Sequence, residues 1–261
     1  MFLGRDLAEQ LRDLSRAAGR EDLATEIDQQ LQSKVEETTT STPRKLGLRF
    51  RVFTDEQAKK LTHATSVEKA RSANRRAVAR GELEAKKTAG GLRYYAITGR
   101  AQAEAGHRIK KITSHGGLWS ALGTTEFCAD SGERLLLRDE VHEAFKAINE
   151  SLGFALDVPG VVRERTTWWG DRLSRILVDL SQPHHFHAGR FVKRLAAKEA
   201  KLAVKSSGWS NMIDAGGFAW TLLSPLDRER EILAAHKKLG VKSPVRCVHV
   251  PLLRSAWGGG A

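Results

Sequence analysis

Apolar residues at helical spacing predict that the chain begins with two helices. Residues 6–17 and 21–35 each repeat leucine, isoleucine or valine every three or four positions, on either side of an Ala-Gly break. Both segments are acidic, so we predict an acidic helical hairpin or arm over 1–42. Its role is either to pack against the next module or to mediate dimerisation. The polar stretch 36–43 predicts an exposed linker after it.

A short strand followed by two helices is predicted next. The segment Arg49–Phe53 alternates basic and apolar residues, as strands do. The segment Thr54–Gln57 then matches a capping box, so a helix should begin there and end in the turn at 62–65. Ser66 is the N-cap candidate of a second helix, which should continue to about Arg80.

Two alternating segments after Gly81 predict a β-hairpin. Residues 83–87 and 92–97 have the period of strands, and the glycine-containing stretch 88–91 between them favours a tight turn. The middle of the chain is therefore expected to contain a strand, two helices and a hairpin, in that order.

The carboxy-terminal part is predicted to be a mixed, mostly helical domain. Helical spacing of apolar residues recurs in three segments, 139–152, 168–180 and 190–205. A further helix should start at Ser224–Asp227, with Pro225 at its first position, and close at Gly240. The strand candidates are 218–223 and 245–250. The polar, basic segment 106–117 is expected to connect this domain to the middle of the chain.

Positive charge is concentrated in one stretch of the chain. The net charge of +12 comes from 43 Lys+Arg and 31 Asp+Glu. Residues 1–42 hold 5 basic and 9 acidic residues, 43–115 hold 18 and 6, and 116–261 hold 20 and 16. A field confined to one module favours an anionic partner such as nucleic acid over a surface that is merely solubilising.

Other features exclude broad classes of protein. Cys128 and Cys247 are too few and too far apart for a disulfide framework or a CxxC-type zinc site, which favours a reducing cytosol. Charged residues near the amino terminus replace the apolar core that a signal peptide needs, and no run reaches 18 apolar residues. We therefore expect a cytoplasmic protein with no membrane span and no cofactor.

The second predicted helix of the middle segment has one apolar face and one cationic face. Plotted at 100° per residue, its small and apolar residues fall together: Val67, Ala70, Ala77 and Val78. The other side carries polar and basic residues: Lys69, Ser72, Arg75, Arg76 and Arg80. One face can pack, while the other is available to an anion.

The segment resembles the winged helix-turn-helix superfamily over about 55 residues, a fifth of the chain. The resemblance rests on Arg75–Glu84, which leads into a glycine-tipped wing, and on the return strand Arg93–Thr98. It implies that the second helix lies in the major groove of B-DNA. The implied helix contacts are Lys69, Ser72, Arg75, Arg76 and Arg80, with base specificity expected for Ser72 and Arg76. The implied wing contacts, to the backbone or the adjacent minor groove, are Lys86, Lys87 and Arg93.

Two features depart from the usual pattern of that superfamily. Asn74 falls on the side of the helix that is expected to pack. No helix is evident immediately before Arg49, where the superfamily has its first helix. We expect the amino-terminal hairpin to supply that helix across the linker.

The carboxy-terminal part holds three other candidate features. The histidines His184, His185 and His187 could bind a transition metal, but no HExxH motif or paired cysteine completes such a site, and a histidine-rich helix entry is the alternative. Five cations share one face of 190–205, as a second phosphate-binding surface or as a solvated face: Arg190, Arg194, Lys198, Lys201 and Lys205. Core positions rather than base stacking are expected for Trp168, Trp169, Trp209 and Trp220.

The predicted fold is α+β, with a helical arm over 1–42, a winged helix-turn-helix over 43–115 and a regulatory or assembly domain over 116–261. We expect a sequence-specific binder of double-stranded DNA, most simply a transcriptional regulator, and a homodimer would double the short site that one helix reads. One alternative is an initiator or accessory protein of plasmid, phage or mobile-element replication, partition or transfer. A second is a metal-dependent hydrolase or nuclease that uses His184–His187, so whether the chain is an enzyme stays open.

Overall fold

The computed structural model describes residues 42–106, 112–137, 140, 161–166, 170–205, 210, 213, 214 and 216–257. The predicted helical arm therefore lies outside the described residues up to Ser41. So do the predicted helix over 139–152, apart from Glu140, and three of the four tryptophans considered above, Trp168, Trp169 and Trp209.

Residues 42–106, the three-stranded unit, combine helices with a small antiparallel sheet. The elements in order are helix α1 (Pro43–Phe50), strand β1 (Val52–Phe53), helices α2 (Asp55–Thr62) and α3 (Val67–Ala79), strands β2 (Leu83–Lys87) and β3 (Arg93–Ile97), and helix α4 (Gly99–Glu104). The strand order is β1-β3-β2, so β3 is central although it is last in sequence.

Side-chain caps set the ends of α2 and α3 where the sequence predicts them. The Thr54 hydroxyl accepts a hydrogen bond from the Gln57 amide at 3.2 Å, and the Gln57 side chain accepts one from the Thr54 amide at 3.0 Å. Ser66 caps α3 by accepting from the Lys69 amide at 3.2 Å. The chain leaves α3 through Gly81, which has a φ of 70°. Both helices and the hairpin after them are confirmed.

Helix α1 corrects the prediction for the start of this unit. The segment Arg49–Phe53 was expected to be a strand and Pro43 to belong to a linker, but Pro43–Phe50 is helical and only Val52–Phe53 pairs with β3. The Thr42 hydroxyl accepts from the Lys45 amide at 3.3 Å, and proline at the first helical position loses no hydrogen bond. A helix therefore precedes β1 within the unit itself.

The core of the three-stranded unit lies between its helices and its sheet. Phe53, Ala77 and Tyr95 are almost completely buried. Gly47 lets α1 approach the hairpin, since a Cβ there would lie 3.0 Å from Leu83 Cδ2 and 3.1 Å from Ile97 Cβ. Apolar residues of the helices and strands form most of this core, and Asp55, Gln57 and Asn74 are buried polar residues beside it.

The described part of residues 112–257, the five-stranded unit, is built around a mixed sheet. Its elements are helix α5 (His115–Ser131), strands β4 (Arg134–Leu135), β5 (Val161–Thr166) and β6 (Gly170–Val178), helix α6 (Ala188–Lys205), strand β7 (Phe218–Ser224), helix α7 (Glu229–Leu239) and strand β8 (Val245–His249), with 3-10 turns at Pro183–His185 and Pro251–Ala256. The sheet order is β4-β5-β6-β7-β8. The first three strands pair antiparallel, whereas β6, β7 and β8 pair parallel through the crossover helices α6 and α7.

Two predictions for this unit are wrong. The helical spacing over 168–180 belongs to strand β6, which is apolar on both sides because Leu173 packs with α6 while Ile176 packs in the cluster that contains α5 residues. Ser224 does not cap a helix, because it is the last residue of β7 and pairs with His249, and α7 starts only at Glu229. The helix over 190–205, the strands near 218–223 and 245–250, and the helix end at Gly240 are confirmed.

Helix α5, which was not predicted, packs against the three-stranded unit on one side and against the rest of the five-stranded unit on the other. Its Thr125 hydroxyl donates to the Val52 carbonyl at 3.0 Å, on the side of the three-stranded unit. On its other side Gly123 lies so close to Leu253 that a Cβ would be 2.6 Å from Leu253 Cδ2. A single apolar cluster consequently runs from Phe53 through α5 to Ile176. Within the described residues, no helix is long and apolar enough to cross a bilayer.

Candidate nucleic-acid interface

Helix α3 presents its predicted polar face to solvent. Ala70, Asn74 and Ala77 form its buried side. The five predicted helix contacts are all exposed: Lys69, Ser72, Arg75, Arg76 and Arg80. Both faces predicted from the spacing are therefore present in the folded helix, and the exposed one carries four cations.

A buried hydrogen-bond network fixes α3 against α2. Asn74 is completely buried, and its Nδ2 donates to Asp55 Oδ1 at 2.9 Å. Arg71 Nε donates to the other oxygen, Asp55 Oδ2, at 3.1 Å. The neighbouring Tyr95 hydroxyl has its pKa raised, first by burial and then by the charge of Asp55. Asn74 therefore departs from an apolar packing pattern because it ties the two helices together, a role that the sequence analysis missed.

The hairpin β2–β3 places two cations directly opposite each other. Lys87 and Arg93 are cross-strand partners at the end of the ladder, next to the turn at 88–91, and both are exposed. Like charges in such positions repel each other and destabilise a hairpin unless an anion lies between them or nearby. The end of the hairpin therefore concentrates two positive charges that a nearby anion would stabilise.

Acidic residues of the unit neutralise some of its predicted contact residues and leave others free. Arg80 pairs with Glu82 at 2.8 Å, and hydrogen bonding from Arg80 holds the pKa of Glu82 below its ordinary value. Lys86 is half-buried and pairs with Glu84 at 2.7 Å. The predicted contact cations that make no ion pair with any described residue are Lys69, Arg75, Arg76, Lys87 and Arg93. Residues 42–106 hold 15 basic and 6 acidic residues in all, so the unit carries a net charge of +9.

No protein family, curated protein or solved structure matches this chain. What the cationic face can do follows from its chemistry. Guanidinium groups donate paired hydrogen bonds to phosphate oxygens or to the O6 and N7 atoms of guanine, and ammonium groups bind phosphate as point charges. A 13-residue helix with such a face has the dimensions of a major-groove element.

The histidine cluster lies on the surface after β6. His184, His185 and His187 are exposed, and the rings of His184 and His185 lie 4.2 Å apart between centroids. In the described part of the chain, no three histidine, cysteine or acidic side chains come together as a metal site would require.

The predicted second basic surface lies along α6. Arg190, Arg194, Lys198 and Lys201 are exposed, and Lys205 is the last residue of the helix. The opposite side of α6 packs on the sheet through Val192 and Leu195. Trp220 is completely buried beneath this helix, at 5.1 Å from Phe218 between ring centroids, which confirms its predicted core position.

Proposed function

We propose that residues 42–106 form a winged helix-turn-helix that binds double-stranded DNA in a sequence-specific manner. The order of helix, strand, two helices and two strands, with β3 between β1 and β2, supports this assignment. Helix α3 would lie in the major groove as the recognition helix, and the turn at 88–91 would be the tip of the wing.

The surface of α3 is the observation that carries the proposal. Lys69, Arg75 and Arg76 point to solvent without an ion pair in the described chain, while Asn74 on the opposite side is locked to Asp55. A helix that is held by one face and cationic on the other is preorganised for an anionic groove, because its backbone is already ordered and only its exposed side chains are immobilised on binding.

The exposed residues of α3 divide into two proposed roles. Ser72 and Arg76 read base edges, with Arg76 suited to paired hydrogen bonds with guanine O6 and N7. Lys69 and Arg75 contact phosphates and set the position of the helix. Arg80 exchanges its exposed pair with Glu82 for a phosphate, since ion pairs on the surface contribute little to stability and are screened by salt.

The hairpin would hold the backbone beside the groove. Lys87 and Arg93, opposite each other on β2 and β3, bind one phosphate between them or two successive ones. Phosphate binding reduces the repulsion between these two cations and so stabilises the bound state of the wing. Lys86, paired with Glu84, contributes less than these two.

The simplest cellular role for such a reader is transcriptional regulation. Selection of bound duplexes from a random pool, followed by sequencing, tests this sequence-specific reading. We expect one enriched motif, and a palindromic motif would mean that a homodimer binds. Recovery of a pool that is no richer in any sequence than the starting pool would overturn sequence-specific reading.

A second candidate is favoured by the cations along α6. An initiator or accessory protein of plasmid, phage or mobile-element replication, partition or transfer grips DNA with more than one surface, and α6 offers a second one. A nuclease footprint separates the two roles. Protection limited to one or two half-sites supports a regulator, whereas protection extending well beyond the enriched motif supports the second candidate.

A further inference from the structure

We infer that Arg175, Arg194 and Lys198 form a second site for the phosphate backbone of DNA, on the sheet face covered by α6. The inference rests on the proposed function, because it takes duplex DNA as the ligand. The spacing of the cations on α6 does not distinguish a phosphate-binding surface from a solvated face. The inference adds a residue from the sheet, Arg175, to these cations.

Arg175 is a half-buried cation with no acidic partner among the described residues. It lies on β6 between Leu173 and Leu177, so strand alternation places it on the side of the sheet that α6 covers. Its guanidinium carbon lies 5.8 Å from the centroid of the Trp220 ring, and its Nε is buried without a hydrogen-bond partner. Burial lowers the pKa of Arg175, and no described carboxylate counteracts that effect.

The carboxylate nearest in sequence to these cations is already occupied. Helix α6 contains six basic residues and one acidic residue, Glu199. Glu199 is buried and accepts hydrogen bonds from the backbone amides of Lys242 at 3.2 Å and Ser243 at 3.1 Å, and from Trp220 Nε1 at 3.5 Å. Its oxygens are therefore directed to the loop before β8 and to Trp220 on β7, and among the described residues Glu199 does not pair with the exposed cations of α6.

Cations from the strand and the helix lie within electrostatic reach of one another. The pKa of Lys198 is lowered, first by burial and then by the positive charges of Arg175 and Arg194. Three cations that repel each other, one of them half-buried, are stabilised by an external anion with several acceptor oxygens. Phosphate has that character, and the fork of an arginine side chain matches its geometry.

The length of the cationic face selects a polymer over a small anion. Arg190, Arg194, Lys198 and Lys201 fall within an arc of about 80° and extend over about 16 Å of α6. One phosphate ion would occupy only a part of that length, whereas successive phosphates of a DNA strand can follow it. Arg194 and Lys198 belong both to this cationic face and to the Arg175 site, so both are expected to contact the same duplex.

The salt dependence of binding to a long duplex tests the inference. The test variant is Arg194→Gln/Lys198→Gln, and the control is Lys237→Gln/Lys238→Gln. The control removes the same amount of charge from exposed positions on α7. Helix α7 packs against α6 around Val192, which is not on the cationic face of α6. Removal of two phosphate contacts should lower the slope of log affinity against log salt by about 2, and the affinity on the order of tenfold, whereas the control should leave both unchanged.

Arg175→Gln supplies the third arm, with its melting temperature measured beside its DNA affinity. A slope lower by about 1 in a variant that melts at or above the wild-type temperature supports the site. Equal slopes for the wild type and Arg194→Gln/Lys198→Gln, while Arg75→Ala/Arg76→Ala still lowers the affinity by about two orders of magnitude, would overturn this inference and leave the proposed function standing. Absence of wild-type binding at low salt would overturn both.

Discussion

Asn74 on α3 donates a hydrogen bond to Asp55 at the start of α2, and this 2.9 Å contact joins the two helices in the interior of the three-stranded unit. Both residues are buried, and Arg71 completes the network from the edge. The contacts of the buried face fix the rotation of α3 about its axis. The Asn74–Asp55 pair therefore helps to determine which side chains of the proposed recognition helix face solvent.

Replacement of Asn74 by alanine should therefore destabilise the protein. The change leaves Asp55 Oδ1 buried without its donor, for an expected loss of about 1–3 kcal/mol in the free energy of unfolding, measured by urea denaturation. Ser72→Ala, on the exposed face of the same helix, is the control and should stay within about 0.5 kcal/mol of the wild type. Equal stabilities for the two variants would mean that the Asn74–Asp55 contact does not hold the helices together.

The contact between α2 and α5 is predicted to depend on the amide of Gln57. Its Nε2 donates to the Leu122 carbonyl at 3.1 Å and to Glu126 at 2.9 Å, while its Oε1 caps the helix. Gln57→Glu keeps the capping acceptor, but it removes both donors and places a second carboxylate beside Glu126. We expect a loss of about 2–4 kcal/mol at neutral pH, measured by urea denaturation.

Acidification should restore part of that stability, because like charge raises the pKa of the introduced carboxyl, which then protonates as the pH falls. Lys60→Gln is the matched control, since its exposed pairs with Glu126 and Asp130 should contribute less than about 1 kcal/mol. A Gln57→Glu variant as stable as the wild type at neutral pH is the contrary result.

A pH-dependent contribution to stability is expected from Glu140. Burial alone would raise the pKa of Glu140, but hydrogen bonds from Arg49 at 2.8 and 2.9 Å and from the Leu137 amide outweigh burial and lower this pKa to about 2. A carboxyl with a depressed folded pKa stabilises the fold above its unfolded pKa, and this stabilisation is lost as the pH falls through the folded value.

The comparison variant is Glu140→Gln, which keeps the shape of the side chain without its charge. The difference in unfolding free energy between the wild type and this variant should be constant near neutral pH and should shrink between a pH of about 4.5 and about 2. Other carboxyls titrate in the same range, but they do so in both proteins and cancel. A difference that does not change with pH would show that the Arg49 pair does not depress this pKa.

The hairpin cations should affect stability and DNA binding in opposite directions. Lys87→Gln/Arg93→Gln removes a like-charge cross-strand pair, so the melting temperature should stay the same or rise, with a gain of about 0.2–1 kcal/mol. The salt slope of DNA binding should fall by about 2 in the same variant. Unchanged binding with raised stability would remove the wing from the interface.

How much of the fold could be predicted differs between the two units. Caps such as Thr54, Gln57 and Ser66 act within one turn of the chain, so the starts of α2 and α3 follow from the local sequence. Helix α1 was missed because the alternating segment Arg49–Phe53, which spans the last residues of α1 and the whole of β1, resembles a single strand, although Thr42 and Pro43 carry a helix-start signal that could have identified the helix.

The five-stranded unit was harder to predict because its central strand, β6, is covered on both faces of the sheet. Strand β6 receives α6 on one face and the cluster around α5 on the other, so its apolar residues do not alternate and its spacing imitates a helix. The candidate contacts on α3 and the hairpin could be named from the sequence. Arg175 could not, since it faces α6 only because β6 is a strand, where a helix was predicted, and because α6 packs on that side of the sheet.

Fluorescence-anisotropy titration of duplex DNA at several salt concentrations, for the wild type and Arg75→Ala/Arg76→Ala, tests the central claim most directly. We predict that the affinity of the wild type falls steeply with salt concentration. The double variant should stay folded, with an unchanged melting temperature, and its affinity for duplex DNA should be lower by about two orders of magnitude. A double variant that binds as tightly as the wild type, or a wild type that does not bind at low salt, would contradict the assignment of α3 as a recognition helix.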